Sequence, residues 1–251
     1  MLAEILTVGD ELLTGNTVDS NSAFMARGLT RRGYCVRRIT TVGDDVFEIE
    51  KAVREALHRQ PEVLVISGGL GPTHDDVTIL GVAKALGRKL VLCEKCLRRI
   101  REFYRNLYEK GLVDDPTINE ARKKMAYLPE GAQPLENPVG AAPGAYIEHQ
   151  GIRIFVLPGM PREMKAMWRL EVLPKLGSRE FIQVRVLAKI TDESKLAPVL
   201  KEALKRFNVR IHSSPRDFGE HIKLILFAES EEDIKRTLRF IESQGIVIEM
   251  R

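Results

Sequence analysis

Short apolar runs alternate with amphipathic stretches along the first 170 or so residues. The run Leu2–Val8 predicts a buried strand, and the stretch 22–32 places apolar residues at helical spacing before Gly33. The same pairing occurs twice more, with predicted strands over 36–41 and 63–67, each followed by an i, i+3, i+4 stripe of apolar residues. Strands that alternate with helices at this spacing favour a parallel sheet with helices on both faces.

The next hundred residues continue the pattern with one interruption. Residues 94–110 predict a longer helix, and the Pro- and Gly-rich stretch 129–144 predicts short strands and turns. A fourth strand is predicted over 153–157. It runs into a helix that starts at Pro161, a residue that suits a first helical position.

Beyond residue 177 the pattern changes, because glycine-rich loops no longer follow the strands. The order strand, helix, strand, strand, helix, strand predicts a compact split βαβ module. We therefore expect two domains, 1–177 and 178–251, with a boundary near Leu176 to Arg179. The six predicted elements of the second domain are 181–190, 195–207, 209–212, 222–228, 231–241 and 246–250.

Composition narrows the protein class. The 251 residues are 44% hydrophobic and 29% charged, which is typical of a globular protein and excludes disorder as the main state. No apolar run approaches the ~18 residues needed to cross a bilayer, and Glu4, Asp10 and Glu11 interrupt a signal-peptide pattern, so we expect a cytoplasmic protein without membrane contact. The net charge of +4 is spread along the chain and does not indicate a nucleic-acid partner.

Three cysteines, Cys35, Cys93 and Cys96, are too few for a disulfide framework. The C-x-x-C pair at Cys93 and Cys96 has two interpretations, a redox or metal pair and the start of a helix. Because no second pair or histidine cluster lies near it in the sequence, we favour the helix start.

Carboxylates follow each of the four strands predicted in the first domain. The carboxyl ends of parallel strands lie at one edge of a sheet, where ligands bind in the crevice between the loops. We therefore expect the four loops to face the same side. They are Gly9-Asp10-Glu11, Gly43-Asp44-Asp45, Gly68 to Asp76, and Pro158 to Glu163.

The third loop, Ser67 to Thr78, is the richest in chemistry. Gly68, Gly69 and Gly71 lack β-carbons, so backbone N–H groups can approach an anion, and a helix N-terminus follows. Asp75 and Asp76 would repel a bare phosphate unless a hard cation such as Mg²⁺ bridged them to it. Thr73 and Asp76 also fit a helix-capping pattern, which is a purely structural interpretation of Asp76. The loop matches neither a Walker A nor a G-x-G-x-x-G motif.

Glu11 and Asp44 have the same two interpretations, since a single acid after a strand is more often a cap or a solvated residue. Four acidic loops on one edge would repel each other unless a cation or backbone donors lay among them. Arg162 and five further basic residues are candidates for contact with a phosphate, and we interpret most of them as solvated helix faces: Lys84, Arg88, Arg122, Lys123 and Lys124.

Five ordered motifs resemble the N-terminal domain of the CinA family, which is similar to the molybdopterin-binding fold of MogA and MoeA. They are TVGDELLTGNTVDSN (7–21), TTVGDD (40–45), GGLGPTHDD (68–76), NPVGAAPG (137–144) and LPGMPREM (157–164). The resemblance covers residues 3–176. Residues 181–251 resemble the small KH-like domain that follows in CinA proteins, although they contain no GxxG loop, so RNA binding is not expected.

The resemblance implies a three-layer parallel-sheet domain and a metal-dependent hydrolase of the pyrophosphate in ADP-ribose or a similar dinucleotide such as FAD. Asp75 stands where the MogA branch has an arginine, which favours this activity over pterin handling. The chain ends before the domain that carries nicotinamide mononucleotide deamidase activity, and we do not expect that activity. A role as a molybdopterin-binding protein in molybdenum cofactor synthesis is the alternative, and an interaction module without chemistry is a third possibility.

The site that the resemblance implies has three groups of residues. The expected catalytic residues are Asp44, Asp76 and Glu163. The expected phosphate- and ligand-binding residues are Gly9, Asn21, Gly68, Gly69, Gly71, Thr73, Asn137, Gly159 and Arg162. The expected metal ligands are Glu11, Asp75 and Asp76, for Mg²⁺, Mn²⁺ or Co²⁺, with K⁺ as a further candidate. The expected partners are a small-molecule nucleotide or pterin phosphate and further copies of the chain, in a dimer or trimer.

Overall fold

The computed structural model describes residues 1–177, 181–215 and 221–250. It divides into two compact units, Met1–Leu29 with Tyr34–Gly177, and Thr30–Gly33 with Ser178–Arg251. Residues 178 and 179 of the predicted boundary lie outside the described part. No helix among the described residues is long and apolar enough to cross a membrane.

The first unit alternates strands and helices as predicted. Its strands are β1 (Leu2–Val8), β2 (Cys35–Val42), β3 (Val63–Ser67), β4 (Leu90–Leu92), β5 (Tyr127–Pro129), β6 (Gln133–Leu135), β7 (Gly144–His149) and β8 (Ile152–Leu157). Its helices are α1 (Asp10–Leu13), α2 (Ser20–Arg31), α3 (Val46–His58), α4 (Thr78–Ala85), α5 (Glu94–Glu109), α6 (Glu120–Lys124) and α7 (Pro161–Met167). A π-helical turn, Trp168–Val172, and a 3₁₀ turn, Leu173–Leu176, follow α7.

Six of these strands form one sheet in the order β2-β1-β3-β8-β7-β6. The first four are parallel, which confirms the predicted βα units, whereas β7 and β6 are antiparallel to their neighbours. The antiparallel pairing arises because only Gln150 and Gly151 connect β7 to β8, with φ of 50° and 82°. Positive φ at both positions is typical of a tight hairpin turn. Strands β4 and β5 form a separate antiparallel pair.

Helices cover both faces of this sheet, as predicted. On one face Leu64 and Ile66 of β3 pack in a cluster with Ile49 of α3 and Ile100 of α5. On the other face Val63 and Val65 of the same strand pack in a cluster with Met25 and Leu29 of α2, Met164 of α7 and Trp168 of the π-helical turn. Successive strand residues point to opposite faces, so a continuous apolar strand serves both layers.

The sheet order places the four predicted loops together. Strands β1, β2, β3 and β8 are parallel neighbours, so their carboxyl ends share one edge. From β1 the chain crosses to β2 on one side, and β3 and β8 lie on the other side. The reversal between β1 and β3 is a topological switch point, where open α/β sheets form their ligand crevice.

The second unit is a split βαβ module, as predicted. Its elements are β9 (Ile182–Lys189), α8 (Glu193–Arg206), β10 (Val209–Pro215), β11 (Ile222–Ala228), α9 (Glu231–Ser243) and β12 (Val247–Met250). Its antiparallel sheet has the order β10-β11-β9-β12, a ferredoxin-like arrangement in which β11 lies between β9 and β10. Leu196, Leu224 and Ile241 lie in its core.

Candidate functional site

A cavity of about 610 Å³ opens at the carboxyl edge of the sheet in the first unit. All four predicted loops contribute to its wall. The acidic residues that line it are Glu11, Asp19, Asp44, Asp75, Asp76 and Glu163. The sequence-based expectation that Glu11, Asp44 and Asp76 share one cleft is therefore met by the described geometry.

One wall of the cavity consists of the glycine-rich loop after β3. Gly68 has φ of 119°, and a Cβ there would lie 2.0 Å from the carbonyl oxygen of Val8, so only glycine fits. The N–H groups of Gly69, Leu70 and Gly71 have no hydrogen-bond partner in the described part of the chain. Three consecutive backbone donors beside a cavity are suited to an anion.

The turn that follows, Thr73 to Asp76, is closed by its own side chains. The Asp76 Oδ2 atom accepts the N–H of Thr73 at 2.9 Å and lies 2.5 Å from its hydroxyl. The predicted use of Thr73 as a phosphate ligand needs correction, because its N–H is already donated and it does not line the cavity. Asp76 does not cap a helix, since α4 begins after Val77 without a side-chain cap.

Asp75 lies on the same turn and is exposed. A hydrogen bond from the hydroxyl of Thr73 lowers the pKa of Asp75 below its ordinary value, and its own backbone N–H lowers it further. The carboxylate is therefore fully ionised near neutral pH, as a cation ligand requires.

Lys124, the last residue of α6, supports this turn from outside the cavity. Its ammonium donates to the carbonyl oxygen of Thr73 and, at 3.0 Å, to that of Asp76. The sequence offers Lys124 as a candidate phosphate contact or a solvated helix residue, and the structure directs its donors at the acidic loop. Lys124 therefore stabilises the backbone of the turn that contains Asp75 and Asp76.

Two aspartates of neighbouring loops, Asp10 and Asp44, are linked through each other's backbone, and Asp44 lines the cavity. The N–H of Asp10 donates to Asp44 Oδ2 at 2.9 Å, and the N–H of Asp44 donates to Asp10 Oδ1 at 3.2 Å. A Cβ at Gly43 would lie 2.4 Å from Asp10 Oδ1, so the glycine before Asp44 makes room for this pair. Asp10 lies in the loop predicted after the first strand, but Glu11 is the only acid of that loop predicted as a ligand. The signal for Asp10 is its place in the loop that follows β1.

Burial raises the pKa of the Asp44 carboxyl above its ordinary value, although the hydrogen bond from Asp10 N–H opposes the rise. The charges of Asp10, Glu11 and Asp75 raise the pKa further. These acids are thus close enough to repel one another. A raised pKa makes Asp44 a better proton acceptor than an ordinary aspartate.

Asn21 lies at the base of the cavity, between the loops after β1, β3 and β8. Its Nδ2 donates to the carbonyl oxygen of Gly159 at 2.7 Å and is 3.4 Å from Ser67 Oγ, which itself donates to Pro158 O at 3.0 Å. Its Oδ1 is buried and has no partner among the described residues. Asn21 and Gly159 therefore fix the relative position of two loops in the cavity wall.

Asn137 and Glu163 hold the remaining wall together. Asn137 donates to Glu163 Oε2 at 2.7 Å and to Ala142 O at 2.9 Å, and its Oδ1 accepts two backbone N–H groups of its own loop. A Cβ at Gly140 would lie 2.2 Å from Glu163 Oε2. Asn137 is thus occupied by protein partners and does not line this cavity, so its predicted ligand role becomes one of loop support. Glu163 lines the cavity with one oxygen already accepting.

Gly9 and Gly68 donate their backbone N–H groups within the protein, and Arg162 does not line the cavity. The N–H of Gly9 donates to Val42 O at 3.0 Å, and that of Gly68 donates to Leu157 O at 3.0 Å, so both extend the sheet. Arg162 is exposed and is not part of the cavity wall. The prediction of direct contact between Arg162 and a phosphate is therefore not supported by the geometry.

An apolar and aromatic wall, which sequence analysis did not anticipate, completes the cavity. Phe103 and Tyr104 reach it from α5, and Met125 reaches it from the end of α6. The guanidinium of Arg122 lies 3.8 Å from the centre of the Tyr104 ring. Tyr104 lies within the helix predicted over 94–110, and only the fold shows that its ring borders a cavity.

No basic side chain is among the described residues that line the cavity. The described residues also contain no group of three His, Cys, Asp or Glu side chains placed to hold a metal ion by themselves. The three predicted ligands Glu11, Asp75 and Asp76 therefore do not form a complete set on their own. Their hard oxygen donors fit Mg²⁺ or Mn²⁺ in kind, with the remaining ligands left to phosphate oxygens or water.

The comparisons with known proteins identify the family of this chain. A family model described as a probable molybdopterin-binding domain matches residues 4–178. CinA of Thermoplasma acidophilum, a solved structure described as having unknown function, is 41% identical. It covers 70% of this chain and 98% of its own, with a TM-score of 0.62. The chain is a CinA-like member of the molybdopterin-binding-domain family.

Relatives of the CinA-like chain extend over its whole length. A protein of Thermococcus kodakarensis is 71% identical over 249 residues, 99% of both chains. A protein of Saccharolobus solfataricus is 41% identical over 241 residues, 93% of this chain and 86% of its own. The family resemblance and the fold class predicted from the motifs are thus confirmed, and the second unit of the CinA-like chain is shared with these relatives.

Proposed function

We propose that this CinA-like protein is a divalent-cation-dependent nucleotide pyrophosphatase that cleaves ADP-ribose or a similar dinucleotide such as FAD. One observation supports this most strongly. Unpartnered amides of the glycine-rich loop and mutually repelling carboxylates line one cavity that has no basic side chain in its described wall. An anion in that cavity requires both the amides and a cation, and a diphosphate can use both at once.

The backbone amides bind the diphosphate. The N–H groups of Gly69, Leu70 and Gly71 supply donors that need no reorganisation, and Lys124 keeps the adjoining turn in place. Such preorganised donors stabilise the charge that develops on phosphate oxygens in the transition state.

The carboxylates have two roles, cation binding and proton transfer. Asp75, Asp76 and Glu11 would hold the divalent cation together with diphosphate oxygens. When bound, such an ion neutralises phosphate charge and makes a bound water more acidic. Asp44 accepts a proton from the attacking water, for which its raised pKa suits it. The water oxygen bonds to one phosphorus, and the bridging P–O bond breaks, so that ADP-ribose gives AMP and ribose 5-phosphate.

The aromatic wall of the cavity suits a heterocyclic group on the substrate. Phe103, Tyr104 and Met125 present apolar surface in the same cavity as the glycine-rich loop. A planar ring system packs well on such surface. A molybdopterin-binding role is the second candidate, because the matching family is described by that ligand and a pterin is also planar.

The test is the release of AMP from ADP-ribose and from FAD by the purified protein with Mg²⁺, Mn²⁺ or Co²⁺. We expect turnover that chelation of the metal abolishes. Tight binding of a pterin phosphate without any AMP release would favour the second candidate. If neither ligand bound and Asp76→Ala changed nothing, an interaction module without chemistry would be the better account.

A further inference from the structure

The pair Cys93 and Cys96 lies outside the pyrophosphatase cavity and plays no part in the proposed reaction. Cys93 is the residue before α5, and Cys96 lies in the first turn of that helix. Their sulfur atoms are joined in a disulfide, and the third cysteine, Cys35, is free. The predicted helix start is thus confirmed. The helix-start interpretation did not predict the disulfide between the two sulfurs.

We propose that Cys93 and Cys96 form a reversible thiol–disulfide exchange site. A C-x-x-C pair at the start of a helix, directly after a strand, is the arrangement of dithiol redox motifs. Here β4 ends at Leu92 and α5 begins at Glu94, so the pair occupies that position.

The hydrogen bonding at Cys93 supports this role. Cys93 Sγ accepts the backbone N–H of Cys96 at 3.2 Å, and it is the N-cap of a 16-residue helix. A helix N–H and the positive end of the helix dipole stabilise negative charge on sulfur. After reduction of the disulfide, Cys93 Sγ lies beside a backbone donor at a helix N-terminus, which favours the thiolate form of Cys93.

Exposure separates the roles of the two sulfurs. Cys93 is half-buried, whereas the exposed fraction of Cys96 is 3%. An external disulfide thus meets Cys93 first, and Cys96 is the inner thiol that resolves the intermediate. Cys93 thiolate attacks one sulfur of the external disulfide and releases one thiolate. Cys96, after losing its proton, attacks Cys93 Sγ and releases the second. The protein dithiol and the external disulfide become a protein disulfide and two thiols.

The test is a redox titration of the full chain in mixtures of reduced and oxidised glutathione, followed by alkylation and peptide mass spectrometry. We expect Cys93 and Cys96 to lose alkylation together in one two-electron transition, with a tenfold change in the ratio of dithiol to disulfide for each ~30 mV. Cys35 serves as the internal control and should stay alkylated. Two permanently free thiols would overturn the proposal, and so would a bond that excess dithiothreitol does not reduce in the folded chain.

A pair of variants tests the order of attack. With oxidised glutathione, Cys96→Ser should trap a mixed disulfide on Cys93 at least about tenfold faster than Cys93→Ser traps one on Cys96, because Cys93 is the accessible sulfur. Equal rates would contradict the assigned roles. The titration of the unaltered chain remains decisive if either variant fails to fold. Neither measurement depends on pyrophosphatase activity.

Discussion

Aspartates that follow strands have opposite environments in the two units of this molecule. In the second unit, Asp192 follows β9 and accepts the N–H of Ser194 at 2.9 Å at the start of α8, and a hydrogen bond from the Ser194 hydroxyl lowers its pKa. In the first unit, Asp44 follows β2 but is bound to the loop after another strand, and burial raises its pKa. Both residues are aspartates that follow a strand. The hydrogen-bond partner of the carboxylate therefore distinguishes the helix cap, Asp192, from the candidate catalytic group, Asp44.

The largest expected effect is the difference in activity between two matched variants, Asp44→Asn and Asp192→Asn. Asp44→Asn should lower the rate of AMP release by about 10²- to 10⁴-fold, because the proton acceptor is lost while the shape is kept. Asp192→Asn should leave the rate unchanged, since asparagine also caps helices. Steady-state kinetics on both variants measures the difference. Equal rates in the two variants would remove Asp44 from the mechanism.

Asp76→Ala should lower turnover by about a hundredfold, which is typical when one preorganised electrostatic contact is lost. Asp76 also closes the turn through the N–H of Thr73. Asp76→Asn keeps an oxygen acceptor for that N–H and is the matched control for the turn. If the asparagine variant were as active as the unaltered protein, the charge of Asp76 would have no part in catalysis.

Lys124→Ala should lower kcat/KM by about tenfold, because two carbonyl oxygens of the acidic turn lose their donor, a loss of ~1.4 kcal/mol. The apparent affinity for the divalent cation should weaken in parallel. Lys124→Arg, which keeps the charge and donors, should recover part of the loss. Lys123→Ala is the control, since the Lys123 ammonium lies 3.6 Å from the exposed carboxylate of Glu120. Equal losses from both alanine variants would contradict a specific role for Lys124.

Asp192→Ala should lower the thermal midpoint of the second unit by a few degrees, because α8 loses its cap, without changing AMP release. The pKa of Asp192 is lowered in the folded chain, so its contribution is present above the ordinary aspartate pKa and is lost as pH falls through the folded value. The difference between variant and parent should therefore shrink in acid. A difference that stayed constant down to pH 2 would speak against this linkage.

The smallest expected effect is on the stability of the folded chain at Asp44. Its pH dependence has the opposite sign to that of Asp192. Its pKa is raised by folding, so the carboxyl favours the folded state at low pH, and this contribution is lost as pH rises through the folded value. Asp44→Asn should therefore raise the thermal midpoint near pH 7, by at most about 2 °C, while it lowers activity. A lower midpoint at neutral pH would show that the ionised carboxylate is stabilising.

The fold could be predicted from sequence wherever one segment carried its own signal. Val63–Ser67 is a short apolar run after a charged helix end, and the structure gives the same bounds for β3. Gln150 and Gly151 form the hairpin that makes β7 antiparallel. The predicted parallel sheet did not include that reversal, because two residues after a short strand carry a weak signal.

The candidate site was predictable in its loops but not in its contacts. Glycines and acids after strands identified the third loop, because those residue types suit anions and cations in any fold. The contact between Asp10 and Asp44 joins residues 34 positions apart, and that between Lys124 and Thr73 joins residues 51 positions apart. The place of the Tyr104 ring depends on the packing of α5. Such contacts follow from the sheet order, which no local pattern of residues encodes.

The most direct test of a diphosphate and a cation sharing one cavity is calorimetric titration of ADP-ribose into the Asp44→Asn protein, with Mg²⁺ and with a chelator. We expect affinity at least about tenfold higher with Mg²⁺, because the described cavity wall contains carboxylates and no basic side chain. AMP, which has no diphosphate, should show a smaller dependence on the ion. Equal affinity for ADP-ribose with and without Mg²⁺, or no binding in its presence, would contradict the account.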